Sequence, residues 1–191
     1  MDKNFKDDEI VSQLLSGADN YGYFPIFYAI KYNYKNILNV TSRFRVNELK
    51  PDIDGNTALH LAVVKGSLDC VEILLSKCPK LLMRRNNEYM SPIELAAVCG
   101  RLRITKALLK AGAIWFNEDF GTVNFYLSLI DQFQPNSLMY AAFHGQARIL
   151  QYLLDTVEGI DPNVRIMTAV DPTRMPKGKN ALDLAIDEKN K

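Results

Sequence analysis

Apolar positions fall in short runs of helical period, and the runs come in pairs. Ala58-Leu-His-Leu-Ala62 is followed, beyond Gly66, by Leu68, Val71, Leu74 and Leu75, whose three- and four-residue spacing puts them on one face of a helix. Thr57 predicts where the first helix starts, because its hydroxyl can accept the backbone amide of His60 three residues on. Gly66 predicts where it ends, since glycine enters the left-handed conformation without steric cost. Two helices this short cannot bury a core by themselves, so the pattern demands copies stacked beside it.

Upstream, Asp19 to Ala29 aligns with Asp52 to Ala62 at an offset of 33 residues. Pro25 takes the first helical position, and Asn33 stands in for Gly66 as the other residue that tolerates a left-handed backbone. Phe24 and Phe27 replace Thr57 and His60, so the local hydrogen bonds of the template are expected to be lost in this copy. Its second helix, near Asn36 to Phe44, is degenerate in pattern.

Downstream, Asn87 to Gly100 repeats the template at an offset of 34. Ser91 and Glu94 form a capping-box pattern around Pro92, and Leu108-Leu109 answers Leu74-Leu75. Gly145 closes the next copy 45 residues after Gly100, so about 11 to 12 residues are inserted, around Ile114 to Ile130. That insertion holds the lone tryptophan and is expected to pack on the stack through Trp115 and Phe120, since leaving its aromatic residues bare would make an adhesive patch. Ile149, Leu150, Leu153 and Leu154 complete the copy. A second insertion runs through Pro176, after which Gly178 to Ala185 opens a fifth copy with Asn180 as its cap. No second helix follows before Lys191, which favours a fragment of a longer protein over a terminal helix that closes the stack.

Thr57-Ala-Leu-His60-Leu-Ala62 matches a T-P-L-H-x-A signature, and with Gly66 and the Leu74-Leu75 pair it resembles an ankyrin repeat. The resemblance extends over about nine tenths of the chain. It implies an all-α ankyrin-repeat solenoid of four to five helix-turn-helix repeats with two insertions, a single domain over residues 1–191. Within it, 1–18 is a half-repeat or cap and 19–51, 52–85 and 86–113 are repeats. An insertion at 114–130 precedes a repeat at 131–164, and 165–191 holds the second insertion and an incomplete last repeat.

The resemblance also implies a partner surface, formed by residues flanking each hairpin glycine and by the two residues before each helix-ending glycine. These are Tyr21, Tyr23, Lys31 and Tyr32, then Ile53, Asp54, Asn56, Val64 and Lys65. Asn87, Glu88, Met90, Val98 and Cys99 follow in the next repeat, and Phe133, Phe143 and His144 in the last. Tyr21, Tyr23, Tyr32, Phe133 and Phe143 are the aromatic anchors expected to carry most of the binding energy. His60 is implied to brace the turns.

Composition narrows the function. The 191 residues are 48% hydrophobic, enough for one continuous core. With 23 basic residues against 22 acidic, no global charge invites nucleic acid. No run approaches the ~18 apolar residues of a membrane span, and the charged start Met1 to Asp8 is unlike a signal peptide. Cys70, Cys78 and Cys99 lack the paired spacing of a zinc site and fit reduced thiols in a cytoplasmic compartment, the host-cell cytosol for a bacterial effector. Neither a phosphate-binding glycine loop nor a metal-binding helix motif is present, so no cofactor is expected.

The reading is therefore a non-catalytic, monomeric module for an unidentified protein partner. Two rivals remain. One is an enzyme site built from the insertions and the groove, where Cys99 and His144 occupy equivalent places in successive repeats and could face each other as a nucleophile pair, although no orienting group or oxyanion hole is evident. Arg101, Arg103, Lys106 and Lys110 crowd one second helix with no acid among them, a solvated face or a surface for phosphate or lipid.

Overall fold

The computed structural model describes residues 17–43, 50–113, 137–156 and 180–183. Four helix pairs follow one another within them: α1 (Pro25–Lys31) with α2 (Lys35–Arg43), and α3 (Ala58–Lys65) with α4 (Leu68–Lys77). Then come α5 (Pro92–Val98) with α6 (Leu102–Lys110), and α7 (Ser137–Phe143) with α8 (Ala147–Thr156). No strand occurs among the described residues. First helices pack in one row, α1 on α3, α3 on α5 and α5 on α7, while α2, α4, α6 and α8 make a second row behind them. This is the all-α stack that the repeat pattern predicts.

The template repeat is braced through His60. Its Nδ1 lies 3.2 Å from the Thr57 amide, which can only donate, so Nδ1 is the bare nitrogen and also takes the Thr57 hydroxyl at 2.9 Å. The proton therefore sits on Nε2, which donates to the Met90 carbonyl of the next repeat at 3.0 Å. One buried imidazole thus caps its own helix and ties two repeats together. In the following repeat Glu94 does the capping, its Oε2 accepting from the Ser91 amide at 2.7 Å and hydroxyl at 2.8 Å. Arg85 meets the same oxygen at 2.9 Å and balances its buried charge.

The first repeat loses these bonds, as expected, and fills the space with rings. Phe24 caps α1 without any side-chain hydrogen bond, and Phe27 is wholly buried where His60 would stand. Tyr23 stacks on Phe27 with centroids 5.2 Å apart. Asn33 ends α1 at φ +57°, and its side-chain oxygen accepts the Ser67 hydroxyl of the next repeat at 2.9 Å. A glycine there could end the helix but could not make that bond.

One element goes beyond the pattern: a 3-10 turn, Pro79–Met83, follows α4 and buries Leu81 and Leu82. At the far end Asn180 caps a helical start, its Oδ1 accepting the Asp183 amide at 2.8 Å while Asp183 Oδ2 accepts the Asn180 amide at 3.1 Å. An apolar core running from Phe24 to Ala113 adjoins a second one running from Ala97 to Ala181, and Leu109 and Tyr140 pack against both. Residues 1–16 of the half-repeat at 1–18, the insertion with Trp115 and Phe120, and the insertion before Lys177 lie outside the described residues.

Candidate protein-interaction surface

The turns that lead into α1, α3 and α5 share one construction. An acid or amide side chain opens each, and its Oδ1 accepts the backbone amides two and four residues on. Asp19 takes Tyr21 and Tyr23 at 2.9 and 2.8 Å. Asp52 takes Asp54 and Asn56 at 3.0 and 2.8 Å, and Asn86 takes Glu88 and Met90 at 3.1 and 2.9 Å. Between the two amides the chain must turn through the left-handed region, at Gly22 (φ +74°), Gly55 (φ +78°) and Tyr89 (φ +61°).

Successive turns are bonded to each other. The Ile53 amide donates to the Tyr21 carbonyl at 3.3 Å and the Asn87 amide to the Asp54 carbonyl at 3.0 Å. Asn86 Nδ2 donates to Asn56 Oδ1 at 3.0 Å, and Asn87 Nδ2 to the Ile53 carbonyl at 3.1 Å. The fingers therefore form a tied row whose tips face solvent.

At the tips, Tyr21 is 66% and Ile53 62% exposed, and Asp54, Asn87 and Glu88 are exposed with them. On the first helices Lys31, Tyr32, Val64, Lys65 and His144 are exposed, while Val98, Cys99 and Phe143 are half-buried. Lys31 lies over the rings of Tyr28 and Tyr32, 5.8 and 5.7 Å from their centroids. Phe143 meets His144 edge to face at 5.1 Å. Phe133 lies outside the described residues.

Met90 is a correction: it is only 8% exposed and belongs to the core, not to the surface. The physical reason applies to its equivalents Tyr23 and Asn56. The residue after the left-handed position turns back toward the helix start, so its side chain lies beneath the finger. Tyr23 accordingly packs on the core, and Asn56 spends its oxygen on Asn86.

Three exposed tyrosines join the surface that the sequence reading omitted. Tyr28 donates its hydroxyl to Asp19, a bond that holds the Asp19 carboxyl below its ordinary range. Tyr34 continues the Tyr28–Tyr32 stack, 5.9 Å from Tyr32. Tyr89 is 57% exposed at the position where the other fingers have glycine. Its signal was the offset of 34 from Gly55, with an aromatic side chain where the backbone favours none.

The arrangement does little to support chemistry. Both ring nitrogens of His60 are committed, and burial pushes its pKa down to about 4, leaving it neutral and structural. Burial raises the Cys99 thiol above its ordinary value, with Arg101 only partly offsetting this, the reverse of what a nucleophile requires. No group of three or more potential metal ligands occurs among the described residues.

Comparison with known proteins agrees with the repeat pattern. The family of ankyrin repeats (3 copies) matches residues 40–119. The nuclear factor NF-kappa-B p105 subunit of Gallus gallus is 25% identical over 170 residues, covering 73% of this chain and 16% of the relative. The human transient receptor potential cation channel subfamily A member 1 is 25% identical over 148 residues, 76% of this chain and 12% of the relative. An ankyrin repeat protein of Acanthamoeba polyphaga mimivirus is 29% identical over 158 residues, 82% of this chain and 19% of the relative. The chain thus spans less than a fifth of the length of each of these relatives.

Proposed function

Residues 40–119 are ankyrin repeats, and on that premise we propose that the chain is a protein-binding module without catalysis, holding its partner on the finger tips and the exposed side of the first helices. The observation that carries this is where the stack leaves large apolar side chains bare. Tyr21 and Ile53 crown two bonded fingers, and Tyr32 and Val64 stand near the ends of α1 and α3. None of the four is needed to fill the core, and together they present aromatic and aliphatic anchors from a backbone fixed in advance. In a larger protein such a module serves as adaptor, targeting arm or substrate-recruiting domain, and the same surface suits an effector. An odd number of cysteines, three in all, fits a reducing cytoplasmic setting, and among the described residues no helix is long and apolar enough to cross a membrane.

The test is affinity capture with the intact chain, followed by titration of the captured partner against Tyr21→Ala, Tyr32→Ala and Phe143→Ala. Truncating an anchor should cost about 2 kcal/mol, roughly thirtyfold in affinity, with melting nearly unchanged for Tyr21→Ala and Tyr32→Ala and lowered for Phe143→Ala, whose ring also packs on the core. Normal binding by all three variants, with binding abolished by charge reversal at Arg101, Arg103 and Lys106, would place the partner on the second helices and overturn the reading.

A further inference from the structure

The second-helix row carries a surface of different character. A cleft of ≈ 570 Å³ opens where α4, α6 and α8 begin, with Arg101, Arg103 and Arg148 among its lining residues and no acid. A second cleft, of ≈ 480 Å³, runs on between α4 and α6 and shares Leu68 and Arg103 with the first. Lys106 and Lys110 line it, Leu75, Ala107 and Ala111 give it apolar surface, and Glu72 is its one acid. Both volumes lie within the range of sites that hold ligands.

The cations here are not occupied by the fold. The exceptions are Arg101, which donates to the Val64 carbonyl at 2.9 Å, and Lys106, which lies over the Tyr152 ring. Arg103, Lys110 and Arg148 enter no ion pair among the described residues, and Lys106 sits 4.5 Å from the ring of Tyr152. Their placement also runs against helix electrostatics. Acids suit the first turn of a helix, yet α6 and α8 have none there and carry Arg103 and Arg148 instead. In a chain whose basic and acidic residues number 23 and 22, this is a local concentration of positive charge that no ion pair among the described residues neutralises.

We propose that these joined clefts are a second docking surface, separate from the fingers, that takes an extended acidic peptide segment with its carboxylates on Arg103, Lys106, Lys110 and Arg148 and an apolar side chain against Leu75 and Ala107. Shape and lining select the peptide. The charges border a recess, which a flat bilayer cannot enter. No aromatic residue lines either cleft, so bases of a nucleic acid have nothing to stack on. An apolar surface bordered by cations matches a strand of alternating acidic and aliphatic residues.

The test is fluorescence anisotropy on the whole chain, with a labelled synthetic peptide of about ten residues, roughly 30 Å when extended, mixing glutamate and leucine. Saturable binding should weaken at least tenfold between about 50 and about 300 mM salt, as the Debye length shrinks. Arg103→Glu with Lys110→Glu, and separately Arg148→Glu, should each weaken it tenfold or more. Arg103→Gln with Lys110→Gln should fall between. A peptide with lysine in place of glutamate should not bind. The proposal is overturned if the charge reversals leave peptide affinity unchanged while circular dichroism shows intact helices. It is overturned equally if phosphatidylserine vesicles or a single-stranded oligonucleotide bind this face and the glutamate peptide does not.

Discussion

Mild acid should destabilise this protein through His60, and the effect can be isolated. The imidazole is wholly buried, neutral and doubly bonded, with its pKa lowered by burial to about 4 from an ordinary 6.5. Between those values the unfolded chain binds a proton that the folded chain refuses. Stability from this group is therefore complete above pH 6.5, falls as pH drops through the window, and levels off below about 4. At pH 5 the loss comes to about 2 kcal/mol, a large share of the stability of an ordinary domain. Glu94 acts with the opposite sign, because burial raises its carboxyl and the folded chain takes up that proton first. The measurement that separates them is urea unfolding of the native chain and of His60→Gln at pH 7.5 and pH 5. Glu94 is common to both proteins and cancels in the difference. His60→Gln should be the less stable protein at pH 7.5, and the gap should shrink by about 2 kcal/mol at pH 5. A gap independent of pH would show that His60 is not held neutral, and the brace described above would be wrong.

Other perturbations follow from the same contacts. Glu94→Ala removes the cap of α5 and leaves the Ser91 amide and hydroxyl without their acceptor, while half-exposed Arg85 keeps the Tyr89 carbonyl, so it should cost about 1 to 3 kcal/mol in denaturant unfolding, with Glu94→Gln costing less. Gly55→Ala combines φ +78° with a Cβ only 2.6 Å from the backbone nitrogen of Asn87, so it should cost more than the ~1 to 2 kcal/mol of left-handed strain alone and speed exchange of the Asn87 amide. Tyr89→Gly relieves that same strain at an exposed tip. It should raise stability by up to about 1 kcal/mol while weakening partner binding, and a destabilised variant with unchanged affinity would contradict this.

Much of the stack was legible because its punctuation is local. Thr57, Ser91 and Asn180 announce helix starts, and Gly66, Gly100 and Asn33 announce ends, each within one or two turns of what it controls. The buried faces followed from helical period, as at Leu74 and Leu108. The surface was less legible because exposure at a finger depends on which way the backbone leaves a left-handed residue. Met90 and Glu88 are two residues apart, yet Met90 is in the core and Glu88 is in solvent, and hydrophobicity alone suggests this only after the turn is known. The oxygens of Asp19, Asp52 and Asn86 were visible as a recurring position, but their paired bonds to two amides are a three-dimensional fact. The clefts on the second helices depend on neighbours 34 to 45 residues apart, which no local window joins.

The helix-ending glycines are fitted to the repeat that follows. A Cβ on Gly66 would come within 2.9 Å of the Arg101 guanidinium, and one on Gly100 would press on Gln146 Oε1. Inheritance of this chain is constrained accordingly. A larger residue at position 66 or 100 would have to displace the side chain 35 or 46 positions later, so what each glycine position accepts is decided across a junction and not within its own repeat.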